Sequence, residues 1–205
     1  MHKYEIVEAG QPLEKAEKAL ILLHGRGAGA HDILGLARHF VDSGFYIAAP
    51  QATNSSWYPY SFMAPESENE PWLSSAIDTV KNLLDTIKKQ VENKNIYIMG
   101  FSQGACLTLE VATRFAQPYG GIAAFTGGLI GQKINTENYS GDFKNTPVFI
   151  GTGDNDMHVP LTRVEKSKTL MENLGAQVTL NVYPGRPHTI IADEIDTVKN
   201  LMFTS

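Results

Sequence analysis

The sequence has a single cysteine among its 205 residues, so no disulfide can form within the chain. No apolar run approaches the roughly 18 residues of a membrane-spanning helix, and the first residues contain no apolar core of signal-peptide length. Basic residues are not in excess: 17 Lys and Arg against 22 Asp and Glu give a net charge of −5, which argues against a nucleic-acid partner. Together these absences predict a cytoplasmic protein without a membrane span.

Motifs for metal ions and nucleotides are also missing. No C-x-x-C or H-x-x-x-H spacing is present, and Cys106 falls in a predicted helix, where a buried apolar role is expected for it. The glycine-rich stretch HGRGAGA, residues 24–30, matches neither G-x-x-x-x-G-K-[ST] nor G-x-G-x-x-G. The sequence therefore predicts neither a metal ion nor a cofactor.

Short apolar runs alternate with helical patterns along the chain, and no repeat or linker interrupts them. Strands are predicted at 4–9, 18–24, 45–50, 95–100, 121–127, 146–153 and 177–185. Helices are predicted at 31–44, 71–91, 104–116, 162–175 and 189–203, with long loops at 51–69 and 127–145. This alternation predicts one α/β domain over residues 1–205, with a mostly parallel central sheet flanked by helices on both faces.

The stretch MGFSQGA, residues 99–105, lies between a predicted strand and a predicted helix and contains the pattern G-x-S-x-G. A serine at this junction is either a helix N-cap or a nucleophile. Glycines on both sides remove the Cβ atoms that would collide in a sharp strand-to-helix turn. The helix N-terminus that follows favours a developing anion. This context favours Ser102 as a nucleophile.

A nucleophilic serine needs a base, and the base needs an acid to orient it. The stretch GTGDNDMHVP places Asp154 and Asp156 after one predicted strand, and GRPH places His188 after the next. The carboxyl ends of parallel strands meet at one edge of the sheet, where reactive groups of such folds lie. We therefore predict a catalytic triad of Ser102, Asp156 and His188. Asp156 is preferred partly on a family pattern given below, and Asp154 is expected to form a turn.

The glycine-rich loop after the second predicted strand suits an oxyanion hole. Its donors are predicted to be the backbone N–H groups of Arg26 and Gln103. The Arg26 side chain either forms an ion pair at the surface or faces an acidic group of the substrate, and His24 is expected to bond to loop backbone. The aromatic-rich loop at 51–72 supplies the substrate-binding candidates, with some rings packed inward. These candidates are Trp57, Tyr58 and Phe62.

The motifs LLHGRGA, APQA, GFSQGA, GTGDNDMHVP and GRPH together resemble the phospholipase/carboxylesterase family of small α/β-hydrolases, over residues 18–200. The resemblance implies a single-domain α/β-hydrolase without a lid domain that cleaves carboxylic esters or thioesters with a Ser-His-Asp triad. The family pattern G-x-x-D followed by V-P falls on Gly153, Asp156, Val159 and Pro160, and H-G-x-G falls on residues 24–27. Arg26 and the loop at 51–72 differ from the acyl-protein thioesterase branch.

The predicted function is hydrolysis of carboxylic esters with small to medium acyl chains through an acyl-enzyme, with a small-molecule ester as partner. Two alternatives stay open. One is a lysophospholipase or acyl thioesterase that takes long acyl chains, and the other is a ligand-binding protein on a hydrolase fold. A homodimer also stays open, because no feature of the sequence requires one.

Overall fold

The computed structural model describes residues 1–203. Its strands are β1 Ile6–Gly10, β2 Lys18–Leu23, β3 Phe45–Pro50, β4 Ile96–Phe101, β5 Phe115–Ala116, β6 Gly121–Phe125, β7 Ser140–Gly141, β8 Pro147–Gly153 and β9 Gln177–Tyr183. Its α-helices are α1 Ala30–Leu34, α2 Glu66–Asn69, α3 Trp72–Ile87, α4 Gln103–Arg114, α5 Leu161–Asn173 and α6 Ala192–Met202. None of these helices is long and apolar enough to cross a membrane.

The central sheet has seven strands in the order β1-β3-β2-β4-β6-β8-β9. Strand β1 is antiparallel to β3, and every other neighbouring pair in this sheet is parallel. Strands β5 and β7 form a separate short parallel pair. The prediction of a mostly parallel sheet is confirmed. Because the parallel strands share one direction, the loops after β2, β4, β6, β8 and β9 all lie at the same edge of the sheet.

Helices cover both faces of the sheet, as predicted. Successive side chains of a strand point to opposite faces, so β2 contributes Ala19, Ile21 and Leu23 to one core and Leu20 and Leu22 to the other. The first core also contains apolar residues of α3, α4 and α5, and the second contains residues of α1 and α6. The inner strands are apolar on both sides because neither face meets water.

The predicted helix at 31–44 is wrong beyond Leu34. Helix α1 ends there, Gly35 follows, and a 3₁₀ turn at Ala37–His39 replaces the rest. Glycine is a weak helix former, which favours a break at this point. Ile33, Ala37 and Phe40 are nevertheless buried in the core, so their helical spacing reported burial and not one continuous helix.

Three smaller differences concern two short elements inside predicted loops and the start of the last helix. The predicted loop at 51–69 contains α2, and the predicted loop at 127–145 contains β7. The last helix begins at Ala192 and not at 189, because the carboxylate of Glu194 accepts a hydrogen bond from the Ile191 amide at 3.0 Å and caps the helix there.

Candidate active site

Ser102 lies in the turn between β4 and α4. Its backbone has φ +55° and ψ −118°, a conformation that a non-glycine residue adopts only under strain. The Ser102 amide donates a hydrogen bond to the Phe125 carbonyl at 3.0 Å, which fixes the turn against β6. A Cβ added at Gly100 would overlap with the Gly104 carbonyl, and one added at Gly104 would overlap with the Leu23 carbonyl. The sharp turn therefore requires glycine at both positions.

The Ser102 hydroxyl does not cap α4. It forms a hydrogen bond of 2.8 Å with Nε2 of His188, whose Nδ1 lies 2.7 Å from Oδ2 of Asp156. An ionised carboxylate can only accept, so Nδ1 carries the proton and Nε2 is left to accept the serine proton. The structure thus brings the three predicted residues into one chain of hydrogen bonds at the carboxyl edge of the sheet.

Asp156 is held in its charged form. Its side chain is 1% exposed, and its second oxygen accepts hydrogen bonds from the amides of His158 and Val159 at 2.8 and 3.0 Å. Burial alone would favour the neutral acid, but the hydrogen bonds from His188 and these two amides outweigh it and lower the pKa of Asp156. A carboxylate in this setting can orient an imidazole and stabilise its protonated form.

Asp154 lies in a turn directly after β8, and its side chain reaches a second loop. Its Oδ1 accepts a hydrogen bond of 2.9 Å from the amide of Gly185, in the loop that carries His188. Asp154 therefore connects the loop after β8 with the loop after β9. Asp154 lies in the turn after β8, as expected, and its contact with the second loop adds a role that sequence distance concealed.

The glycine-rich loop after β2 lies against the serine. A Cβ added at Gly25 would stand 3.5 Å from the Ser102 Cβ. The amides of Arg26 and Gln103 donate no hydrogen bond to another group within residues 1–203, so both are free to bind an oxyanion. His24 is buried, forms a 2.8 Å contact through Nδ1 with the Gly25 carbonyl and accepts from the Ala52 amide through Nε2 at 3.1 Å. It bonds loop backbone, as expected.

The Gln103 side chain has a second task that the sequence did not reveal. It is buried, its Oε1 accepts a hydrogen bond from the Trp57 amide at 2.9 Å, and its Nε2 donates to the Tyr58 carbonyl at 2.8 Å. Gln103 therefore anchors the aromatic loop to the residue that follows the serine. No motif or spacing in the sequence indicates this contact, because the two partners are about 45 positions apart.

The Arg26 side chain neither forms a surface ion pair nor extends freely into the site. Its guanidinium donates hydrogen bonds to the carbonyls of Pro59 and Tyr60, both at 2.7 Å, and to the Ser56 hydroxyl at 3.1 Å. These hydrogen bonds take the place of the expected surface ion pair. Arg26 thus connects the glycine-rich loop after β2 to the aromatic loop. Arg26 also lines the cavity at Ser102, so a contact with an acidic group of a substrate stays a prediction.

A cavity of about 440 Å³ opens at Ser102. Tyr58 and Phe62 line it, together with His158, whose ring centroid is 5.1 Å from that of His188. Trp57 does not line it. The Trp57 ring is fully buried against His24, and its indole N–H donates to the His24 carbonyl at 2.9 Å. The expectation for Trp57 is therefore corrected: its indole stabilises the loop behind the cavity wall.

A mostly parallel sheet with helices on both faces and a strained serine turn after a central strand defines an α/β-hydrolase. Residues 2–204 match the family model described as Phospholipase/Carboxylesterase, and the chain belongs to that family of hydrolases. The resemblance drawn from the motifs is thereby confirmed.

Known relatives agree with this assignment. The crystal structure of a phospholipase/carboxylesterase from Dyadobacter fermentans DSM 18053 is 53% identical with a TM-score of 0.97, and the match covers 99% of this chain and 98% of that one. A probable carboxylesterase SOBER1-like of Arabidopsis thaliana is 28% identical over 73% of this chain and 58% of its own length. Acyl-protein thioesterase 1 of Saccharomyces cerevisiae is 29% identical over 71% of this chain and 64% of its own. The chain thus spans less than two thirds of these two curated relatives.

Proposed function

We propose that this chain is a serine esterase that hydrolyses carboxylic esters with small to medium acyl chains through an acyl-enzyme. One observation carries the proposal. Ser102 lies in a strained turn with its hydroxyl 2.8 Å from His188 Nε2, and Nδ1 of the same ring is 2.7 Å from Asp156. This arrangement suits a hydroxyl that must lose its proton as it attacks.

Acylation would begin with attack of the Ser102 oxygen on the ester carbonyl carbon while His188 Nε2 accepts the serine proton. The negative oxygen of the tetrahedral intermediate would accept hydrogen bonds from the amides of Arg26 and Gln103. His188 would then return the proton to the departing alcohol as the C–O bond breaks. Asp156 would remain ionised and keep the imidazole oriented.

Deacylation would repeat these steps with water in place of serine. His188 would take a proton from the water as its oxygen attacks the acyl carbon, and would protonate Ser102 when the carboxylic acid leaves. Each oxyanion donor is expected to contribute about 2.7–4 kcal/mol to transition-state stabilisation, as in other acyl-transfer sites.

The preference for small to medium chains rests on the size and lining of the cavity. Its volume of about 440 Å³ is at the lower end of the roughly 300–1,000 Å³ usual for ligand pockets. Tyr58 and Phe62 provide apolar surface for an acyl or alcohol group. A long lipid chain would need more apolar wall than this cavity provides.

The test is hydrolysis of p-nitrophenyl esters from acetyl to palmitoyl by wild type, Ser102→Ala and Ser61→Ala. Ser61 lines the same cavity and is exposed, so it is a matched serine without the histidine contact. We expect Ser102→Ala to abolish nearly all turnover and Ser61→Ala to retain it, with the wild type fastest on short and medium chains.

Other results would change the assignment. A maximum at palmitoyl would favour the lysophospholipase or thioesterase alternative, which acyl-CoA and lysophospholipid substrates would then separate. Substantial turnover by Ser102→Ala would refute the nucleophile. Ligand binding without turnover of any ester would favour a binding protein on this fold.

A further inference from the structure

A buried ion pair lies beneath the loop that carries His188. We call residues 184–191, between β9 and α6, the histidine loop. Arg186 NH1 is 2.7 Å from Glu194 Oε2, and the two side chains are 3% and 0% exposed. Arg186 is the arginine of the GRPH motif, and the acyl-transfer steps give it no task. Its burial therefore needs another explanation.

The ion pair holds the histidine loop on both sides of His188. Arg186 stands two residues before the histidine, and its NH1 also donates to the Thr189 carbonyl at 2.7 Å. Glu194 Oε2 accepts from the Ile191 amide, three residues after the histidine, at 3.0 Å. The path of the loop through His188 is thus fixed by one pair of opposite charges.

The same arginine connects this loop to the serine. Its NH2 donates a hydrogen bond to the hydroxyl of Thr126, the residue after β6. Thr126 has φ +64°, and its amide donates to the Gly151 carbonyl at 2.8 Å. The preceding carbonyl, that of Phe125, accepts the hydrogen bond from the Ser102 amide. The histidine loop and the serine turn are therefore both hydrogen-bonded to one short segment at the end of β6.

Strand β8 is shaped to receive the pair. A Cβ added at Gly151 would overlap with Glu194 Oε1, and one added at Gly153 would stand 2.7 Å from the Arg186 carbonyl. Asp154, directly after this strand, accepts a hydrogen bond of 2.9 Å from the Gly185 amide. The strand that precedes Asp156 thus makes close contact with the histidine loop.

Energy alone does not account for such a pair. Removing two charges from water costs free energy that their attraction often only balances, and apolar replacements are frequently as stable. A guanidinium fork, however, fixes the direction of several acceptors at once. Here those acceptors are the Thr189 carbonyl in the histidine loop, Glu194 on α6 and Thr126 after β6.

We propose that Arg186 and Glu194 are positioning residues that hold the His188 imidazole at the distance and angle required to take the proton of Ser102. The inference rests on the proposed function, because it assigns the pair a task in that same reaction. Neither residue lines the cavity, so the ion pair is expected to affect the chemical step and not substrate binding.

The experiment measures kcat, KM and thermal midpoint for Arg186→Met, Arg186→Lys and Glu194→Gln with p-nitrophenyl butyrate. The control is Glu110→Gln, since Glu110 is also fully buried, its Oε1 accepts from Arg114 Nε at 2.6 Å, and it does not line the cavity. A misplacement near 1 Å can cost up to about 100-fold in rate. We expect kcat to fall about 10- to 100-fold in Arg186→Met and Glu194→Gln with KM nearly unchanged.

The control separates positioning from stability. Glu110→Gln is expected to lower the thermal midpoint as much as Glu194→Gln while kcat stays at the wild-type value. Arg186→Lys keeps the charge but loses the fork, so partial recovery of kcat is expected. Should the Arg186 variants not fold, Thr126→Val removes only the hydroxyl that Arg186 binds, and a several-fold loss of kcat is expected there.

Unchanged kcat in Glu194→Gln and Thr126→Val would overturn the inference while leaving the esterase proposal intact. An equal loss of kcat in Glu110→Gln would also overturn it, because a general loss of stability would then explain the effect. If the wild type turns over no ester, the proposed function fails and the positioning task fails with it.

Discussion

Replacing Gln103 with Met is expected to destabilise the aromatic loop while leaving in place the backbone amide that is proposed to bind the oxyanion. Methionine has nearly the same length as glutamine and suits a buried site, but it cannot replace the amide's hydrogen bonds. The wild-type side chain accepts from the Trp57 amide at 2.9 Å and donates to the Tyr58 carbonyl at 2.8 Å. The substitution therefore tests the contact between the serine turn and the aromatic loop.

The size of the effect follows from what each partner retains. The Trp57 amide is left buried and unpaired, which costs about 1–3 kcal/mol. The Tyr58 carbonyl still accepts from the Ser56 hydroxyl at 2.9 Å, so one hydrogen bond of about 0.5–1.5 kcal/mol is lost there. The sum is about 1.5–4.5 kcal/mol, a large part of the roughly 5–15 kcal/mol by which domains are stable.

Urea unfolding measures the free energy, and Gln132→Met, at an exposed glutamine, is the control. Ester kinetics give the second readout. Because Tyr58 and Phe62 line the cavity, we expect kcat/KM to fall more for p-nitrophenyl hexanoate than for the acetate. A loss of unfolding free energy below about 1 kcal/mol would refute the reasoning, since it would mean that the Trp57 amide finds another acceptor.

Three further predictions follow from individual contacts. The Tyr58 hydroxyl is buried without a hydrogen bond of normal geometry within residues 1–203 and lies beside the weakly accepting Cys106 thiol. Tyr58→Phe should therefore leave the unfolding free energy equal or raise it by up to about 1 kcal/mol, and a clear loss would show that the hydroxyl forms a hydrogen bond. Gly104→Ala places a Cβ on a β2 carbonyl and should lower the unfolding free energy by at least about 3 kcal/mol. Gly27→Ala meets no atom within 4 Å but has φ +81°, so it should lower this free energy by only about 1–2 kcal/mol, and similar losses for the two variants in thermal melts would contradict this. Folding lowers the pKa of Asp156, so the unfolded chain binds more protons, and the stability contributed by this carboxylate is present above about pH 4 and lost below it. The difference in urea stability between wild type and Asp156→Asn should therefore shrink from about pH 5 to about pH 3, and a constant difference would contradict this.

The sequence predicted the sheet and the order of the three site residues because both depend on local signals. Strand and helix periods indicate parallel strands, and the carboxyl ends of such strands must lie at one edge. Ser102, Asp156 and His188 each follow a predicted strand, so topology alone brings them near one another. Helical spacing failed at 31–44, because apolar residues around a 3₁₀ turn bury the same face as a helix would.

The contacts that shape the cavity carry no such signal. Arg26 reaches carbonyls more than thirty positions away, and Gln103 reaches the loop residues Trp57 and Tyr58. Neither pairing has a period or a motif, since each depends on how a loop without regular structure folds back over the site. The prediction that Trp57 lines the cavity fails for the same reason. The sequence does not distinguish an aromatic ring of a long loop that lines the cavity from one that packs in the core behind it.

Arg26 and Gln103 connect the two amides proposed to bind the oxyanion to the cavity wall. Each has a backbone N–H without an acceptor among residues 1–203 and a side chain that bonds to residues 56–60. A change in the aromatic loop is therefore expected to shift the two residues whose amides would bind the oxyanion. Because an oxyanion hole acts through fixed geometry, substitutions that widen the cavity at Tyr58 are expected to lower kcat on every ester as well as to alter chain-length preference. Enlarging this pocket without loss of rate would require preserving the Trp57 amide and the carbonyls that these two side chains bind.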